Sequence, residues 1–474
     1  MAGGKYTDYN KTLPGVYIRY KTKPDLSATV GERGTVAIAK QLKSGDFGKF
    51  IEISDLTKLK DLVGFDITSE DAAFIREMTR GTNLTSGASK ILLWRLEEQN
   101  SQKAQLQIGN LKIIAKTEGE NGNKISIVVN PDVSSKIENV TADKGKYAKW
   151  TITTYYDTEK KYEQVVGSFT QDATSEDSGD NNYEIGTIEK LQSNDLVTFS
   201  GAGEFTAAVA TSLQGGQDSG LKSTAYSDFL KALGKQNFNV VCYDGQDTVV
   251  KGVFNSFVKR MCEEEGRYCV VVMANYHSAN SEYVISVKNG VQIETGDLLS
   301  PEETTWWVAG ATAGANYNES LTYHTYPGAT DLSEEYENSD LVDIVKEGSF
   351  TFIKNDGQIM VLTDINSFHD FTPEKSRSLS KNRVVRVIMQ ICNDLYLNIT
   401  KTYLGKVDVN KDGVNLVTGF IIGYLEGLQS NRAIKNFVKE DVSVEEFEID
   451  SMKAGIYIQP VDSLEKIYVD ILIG

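Results

Sequence analysis

The sequence predicts a multidomain chain of mixed α/β and α+β type, with a β-sandwich-like insert, a doubly wound α/β middle domain and an α+β C-terminal domain with extended terminal arms. Three observations carry that expectation. Residues 238–243 and 268–273 are apolar runs of strand length, and between them Val249, Val250, Val253, Phe254, Phe257, Val258 and Met261 recur at helical spacing. Strand, helix and strand in about 35 residues make a βαβ unit with a right-handed parallel crossover. From about 104 to 210 the texture changes to short alternating segments punctuated by Gly, Asn and Asp. The last hundred residues hold two helical patterns, then Ile467, Val469 and Ile471 in alternation.

In chain order, residues 1–23 form an N-terminal arm. It holds one short strand pattern at 15–20, set off by Pro14 and Pro24, with Val16, Ile18 and Tyr20 on one face and Tyr17 on the other. A lone strand is not stable, so it must add to another sheet. Residues 24–100 mix short strands at 35–39 and 91–96 with helical stretches near 55–63 and 69–79, a small α/β domain. The β-sandwich-like domain follows over 101–220, with strands at 106–114, 125–129, 150–156 and 162–169. Its acidic, Ser-rich stretch 171–182 offers almost nothing apolar to bury and reads as a solvated loop. The α/β domain spans 221–370 and closes with a hairpin, 349–354 and 358–363, turned at Asn355, Asp356 and Gly357. In the C-terminal domain, 371–474, Val384, Val385, Ile388, Ile391, Cys392 and Leu395 form the apolar face of the first helix. Within the second helix Gly419, Gly423 and Gly427 clear one face for a close helix neighbour.

At 474 residues the chain exceeds one compact core, and its 40% hydrophobic and 24% charged content is that of a folded protein. Sixty-six acidic residues against 49 basic ones give a net charge of −17, which argues against nucleic acid as a partner. Cys242, Cys262, Cys269 and Cys392 sit mostly in apolar runs and read as buried reduced thiols. The N-terminus has no apolar signal region, and no apolar run reaches the ~20 residues that span a bilayer, so no membrane association is expected.

Candidate chemistry is sparse. Asp408 to Gly413 matches the first half of an EF-hand loop, but Gly419 stands where a bidentate Glu is needed, so a polar interhelical turn is expected. Asp244 ends one parallel strand and His277 follows the next, where α/β folds place catalytic groups. A hydrolase built on them also needs an activated nucleophile, and no G-x-S-x-G elbow is present. Phosphate-loop, dinucleotide and zinc-ligand spacings are all missing, so no cofactor is expected. A cell-surface β-rich adhesin would need a secretion signal. The least ordinary charge feature is the acid-free stretch 375–386 with Lys375, Arg377, Lys381, Arg383 and Arg386. Arg383 and Arg386 share a helix side with Gln390 and Asn393, opposite the apolar face, so a solvated helix start and an acidic partner surface are the two readings.

Lys11 to Ile18 resembles the opening of contractile tail sheath proteins of phages and phage-tail-like bacteriocins. The segments 381–387, 403–407 and 458–468 resemble that family's C-terminal domain, and Gln459-Pro460-Val461-Asp462-Ser463 with Glu465, Lys466 and Tyr468 is the most specific of them. The resemblance implies a structural subunit without enzymatic activity, forming hexameric rings stacked helically on a tail tube, with baseplate and tail terminator proteins as further partners. It also implies contraction that drives the tube through a cell envelope, and a place in the tail of a virion or bacteriocin particle assembled in a bacterial cytoplasm. Val16, Tyr17, Ile18, Tyr20, Ile467, Val469 and Ile471 are then expected to pair with neighbouring subunits by strand addition. Lys381, Arg383 and Arg386 are expected to face the tube.

Overall fold

Short runs that are apolar on both faces build the central sheet, and burial of both faces is what parallel strands require. The computed structural model describes residues 3–4, 16–17, 33–42, 47–99, 101–135, 149–167, 191, 193–201, 205–217 and 220–473. Seven strands lie in the order Ser349–Phe350, Val284–Val287, Val270–Ala274, Val240–Tyr243, Thr35–Lys40, Lys90–Arg95 and Phe50–Ile53. All neighbours are parallel except Phe50–Ile53, which closes one edge antiparallel to Lys90–Arg95. Alternate residues serve two cores. Val36, Ile38, Val240 and Cys242 face one, and Ala37, Ala39, Val241 and Tyr243 face the other.

Helices Ala73–Arg80 and Pro301–Gly314 cover the first face, and Ala225–Leu233 and Thr248–Glu263 cover the second. The doubly wound architecture is therefore present, but its membership differs from expectation. The sequence pattern divides residues 24–100 and 221–370 into two domains, yet Thr35–Lys40 pairs directly with Val240–Tyr243 and completes one sheet. Sequence distance hid the pairing, because the insert separates the two halves.

That insert is a sandwich of two sheets. Strands Glu159–Gly167, Lys149–Tyr156, Ile125–Pro131 and Ala208–Ser212 form one, and Val197–Gly201, Leu111–Ala115 and Gln105–Ile108 the other. Trp150, Phe199, Phe205, Ile113 and Ile127 fill the space between them. The single strand expected over 106–114 is a hairpin, because Gly109 adopts φ 55 and turns the chain. Residues 171–182 lie outside the described residues.

The hairpin Phe352–Asn355 with Gln358–Val361 is as expected, turned by Asp356 and Gly357 at φ 48 and 74. Its first expected residues, Ser349 and Phe350, instead join the central sheet. The C-terminal domain consists of helices Asn382–Thr402 and Lys411–Ser430 and a hairpin of Val442–Glu448 and Ser451–Ile456. Phe420, Ile421, Tyr424, Leu425 and Leu428 form its core with Val387 and Ile391.

Helix Pro301–Gly314 begins with a capping box, Ser300 Oγ accepting from the Glu303 amide at 3.2 Å and Glu303 Oε2 from the Ser300 amide at 2.8 Å. It then runs so close to Ala73–Arg80 that a Cβ on Gly310 would overlap the Met78 carbonyl. Gly310→Ala is therefore expected to lower unfolding stability by about 1–3 kcal/mol, read from the urea midpoint at unchanged slope.

Candidate functional site: the arms and the C-terminal helix seam

Of the N-terminal arm, Gly3–Gly4 pairs in parallel with Val16–Tyr17, whereas Ile18 and Tyr20 lie outside the described residues. At the other end, Ile467, Val469 and Ile471 are 73, 72 and 80% exposed. They are not in a strand: the chain carries no regular secondary structure from 461 to 473. A strand needs a hydrogen-bonded neighbour, and within one copy of the chain this alternating apolar segment has none among the described residues.

The root of that segment is tied down. Ile434 bridges Pro460, the Lys435 amide donates to the Gln459 carbonyl at 2.9 Å, and the Val461 amide donates to the Ala433 carbonyl at 2.9 Å. Further on, Glu465 Oε1 accepts from Thr322 Oγ1 and Thr363 Oγ1, each at 3.1 Å, and its Oε2 accepts from Lys381 Nζ.

The basic stretch expected to face the tube is largely turned inward. Arg386 is 3% exposed and donates to the Asp364 carboxylate and to the Glu319 carbonyl. Asp364 also accepts from the Leu321 amide at 3.0 Å and from Asn382 Nδ2 at 2.8 Å. Lys381 is held by Glu465, and Lys375 reaches Glu282 at 2.6 Å. Arg383 is half-buried, with its pKa lowered by burial and partly restored by Asp462. Arg377 remains exposed.

The rest of the same helix side follows suit. Gln390 is buried and donates to Asp394, whose other oxygen accepts from Tyr424 Oη at 2.8 Å. Asn393 exchanges two hydrogen bonds with the Tyr268 backbone, at 2.9 and 3.0 Å. A polar helix side that looks solvated is thus in part a seam between the C-terminal domain and the α/β domain, where Arg386 and Asn393 bond Asp364, Glu319 and the Tyr268 backbone, while the Gln390–Asp394–Tyr424 chain lies within the C-terminal domain. Arg33 also lines this seam. Burial, then the neighbouring Arg386, brings its pKa down to about 9 against an opposing pull from Asp394.

Other sequence candidates resolve as structure. Asp244 accepts from Lys40 Nζ at 2.6 Å and from Trp306 Nε1 at 2.7 Å, so its carboxylate is occupied as a staple between strand and helix. His277 faces Glu347 at 4.0 Å, and no hydrogen bond or ion pair joins it to Asp244 among the described residues. Asn410, in the calcium-like loop, accepts from the Gly413 amide at 2.9 Å and caps helix Lys411–Ser430. A Cβ on Gly419, Gly423 or Gly427 would touch nothing among the described residues, which therefore do not supply the expected helix neighbour. Cys242, Cys262 and Cys269 are buried free thiols and Cys392 is partly buried, and burial pushes the Cys242 thiol up. Among the described residues, no helix is long and apolar enough to cross a membrane.

A doubly wound domain carrying an inserted sandwich, with polar groups consumed by structure and a bare C-terminal segment, has the makings of an assembly subunit. Residues 220–367 match the phage tail sheath protein central domain and residues 374–474 the phage tail sheath C-terminal domain. A solved sheath tail protein from Desulfitobacterium hafniense is 35% identical, with a TM-score of 0.78, covering 96% of this chain and 99% of that one. Two Bacillus subtilis strain 168 proteins, YqbK and XkdK of the phage-like element PBSX, are 31% and 29% identical, each over 99% of both chains. The chain belongs to the phage tail sheath protein family, and its role is that of a structural tail sheath protein. The helical sheath of the anti-feeding prophage in its contracted state shares the fold, with a TM-score of 0.54 at 12% identity.

Two predictions follow from the seam and the capped loop. Arg386→Met leaves Asp364 buried without its cation and should cost about 3–5 kcal/mol in urea unfolding, far beyond a surface change. Calcium at micromolar to millimolar levels should leave the melting temperature unmoved, because Asn410 is committed to the helix cap; a strong rise would contradict this.

Proposed function

We propose that this chain polymerises around a tail tube as stacked hexameric rings, and that the sheath contracts to drive the tube through a target cell envelope. The observation that carries this reading is the exposed alternating segment at the C-terminus, rooted in its own domain and free beyond Glu465. Such a segment gains several backbone hydrogen bonds when it joins a neighbour's sheet, each worth about 0.5–1.5 kcal/mol net. Ile467, Val469 and Ile471 add apolar burial, and every subunit of a lattice repeats the gain. The N-terminal strand around Val16, Tyr17, Ile18 and Tyr20 serves as the second linking arm. The likeness to the contracted anti-feeding prophage sheath supports the helical arrangement at the level of fold.

On this reading the partners are further copies of the chain, the tube protein, and the baseplate and terminator proteins at the two tail ends, in a virion tail or bacteriocin particle built in the host cytoplasm. Neither nucleic acid nor membrane is a partner. The net charge of −17 favours contacts with basic patches on protein neighbours over contacts with phosphate.

Electron microscopy of the purified protein with its tube protein tests the proposal. Wild type is expected to form tubes, whereas deletion of residues 1–20, or Tyr17→Pro, should yield a soluble folded monomer that forms no contractile sheath. Normal contraction-competent tubes from the truncated chain would refute the linkage.

A further inference from the structure

Most of the most specific part of the sequence resemblance, residues 459–465, does not belong to the free arm. Val461 is bound to Ala433, Gln459 to Lys435 and to Asn436 Nδ2 at 3.1 Å, and Asp462 lies within the field of Arg383. Glu465 then inserts its carboxylate among Lys381, Thr322 and Thr363, with side-chain exposures of 15% for Lys381 and 18% for Glu465. Thr322 lies in the loop after helix Pro301–Gly314, Thr363 follows the hairpin, and Lys381 precedes the long helix, so one carboxylate collects donors from three separate segments. Residues 466–473 are all exposed. The contrast between a fully engaged residue 465 and a bare residue 466 is abrupt.

The geometry points to Glu465 as the clamp that divides the C-terminal arm into a root moving with its own subunit and a tip given to the next one. This rests on the sheath reading and deepens it. The tip begins at Lys466, and at about 3.3 Å per residue its described part, residues 466–473, reaches roughly 26 Å when extended. The start of the C-terminal helix acquires its role from this: Lys381 is a positioning residue for the arm, not a contact for the tube. A root that stays fixed makes the tip leave the subunit in one direction, so neighbours receive it in register. Without the clamp the root would fluctuate, and the ordering entropy of additional residues would oppose each joint.

The test uses the full chain in two measurements. Amide hydrogen exchange of the monomer over 457–465 should quicken at least tenfold in Lys381→Met and in Glu465→Gln, while helix Asn382–Thr402 keeps its protection. Sheath yield with tube protein should fall at least tenfold in both variants. The exchanged pair Lys381→Glu with Glu465→Lys should restore much of each, which a loss of general stability would not. Unchanged exchange in both single variants overturns the clamp. Faster exchange with normal sheath yield overturns its part in assembly. A wild-type chain that forms no sheath refutes the sheath reading instead, and the exchange result then decides the clamp by itself.

Discussion

The Asp364 carboxylate holds the C-terminal domain on the rest of the chain. It receives Arg386 and Asn382 from the long helix and the Leu321 amide from the opposite loop, while its own backbone accepts from the Asn382 amide at 3.0 Å and donates to Thr322 Oγ1 at 2.9 Å. Taking a carboxylate and a guanidinium out of water costs several kcal/mol per ion, and the hydrogen bonds that Asp364 accepts from Asn382 and Leu321 and that Arg386 donates to Glu319 offset part of that cost, while Arg386 Nε and Nη1 are buried without a partner among the described residues. The orientation of helix Asn382–Thr402 follows from this constraint. With it come the position of Lys381, the socket for Glu465 and the direction in which the arm departs.

The charge pattern takes its meaning from the same place. An acid-free run of five cations in a chain of net charge −17 reads as a surface waiting for a partner, and most of it is already partnered within the chain. Asp364 is 22 residues from Arg386, and Glu465 is 84 from Lys381. Nothing local in the sequence reports such pairs. Periodicity placed Arg386, Gln390 and Asn393 correctly on one side of a helix, but periodicity measures polarity and not solvation.

Elements whose signal is local were legible: the βαβ unit, the turn at Asp356 and Gly357, the insert strands around 125–129, 150–156 and 162–167, and the helices at both ends of the calcium-like loop, whereas Val197–Gly201 and Ala208–Ser212 were not. Elements that depend on distant partners were not. Thr35–Lys40 was recognisable as a strand, but its place beside Val240–Tyr243 depends on pairing across roughly 200 residues. Gly419, Gly423 and Gly427 signalled close approach by something, and the described residues of the chain do not supply it. The exposed Ile467, Val469 and Ile471 are the same lesson reversed, since a strand pattern specifies a strand only where there is an edge to join.

The sandwich leaves and re-enters the central domain through one paired stem, with bridges from Glu98 to Leu221, Gln102 to Gln217 and Gln105 to Gln214. Its two ends therefore meet at a single point, while its core of Trp150, Phe199 and Ile127 is separate from the cores of the sheet. A module attached in this way can be enlarged, trimmed or exchanged for another with neighbouring termini without disturbing the strand order beneath it. The stem makes the chain a carrier: variation can accumulate at the insert while the parts that couple one subunit to the next stay under a separate constraint.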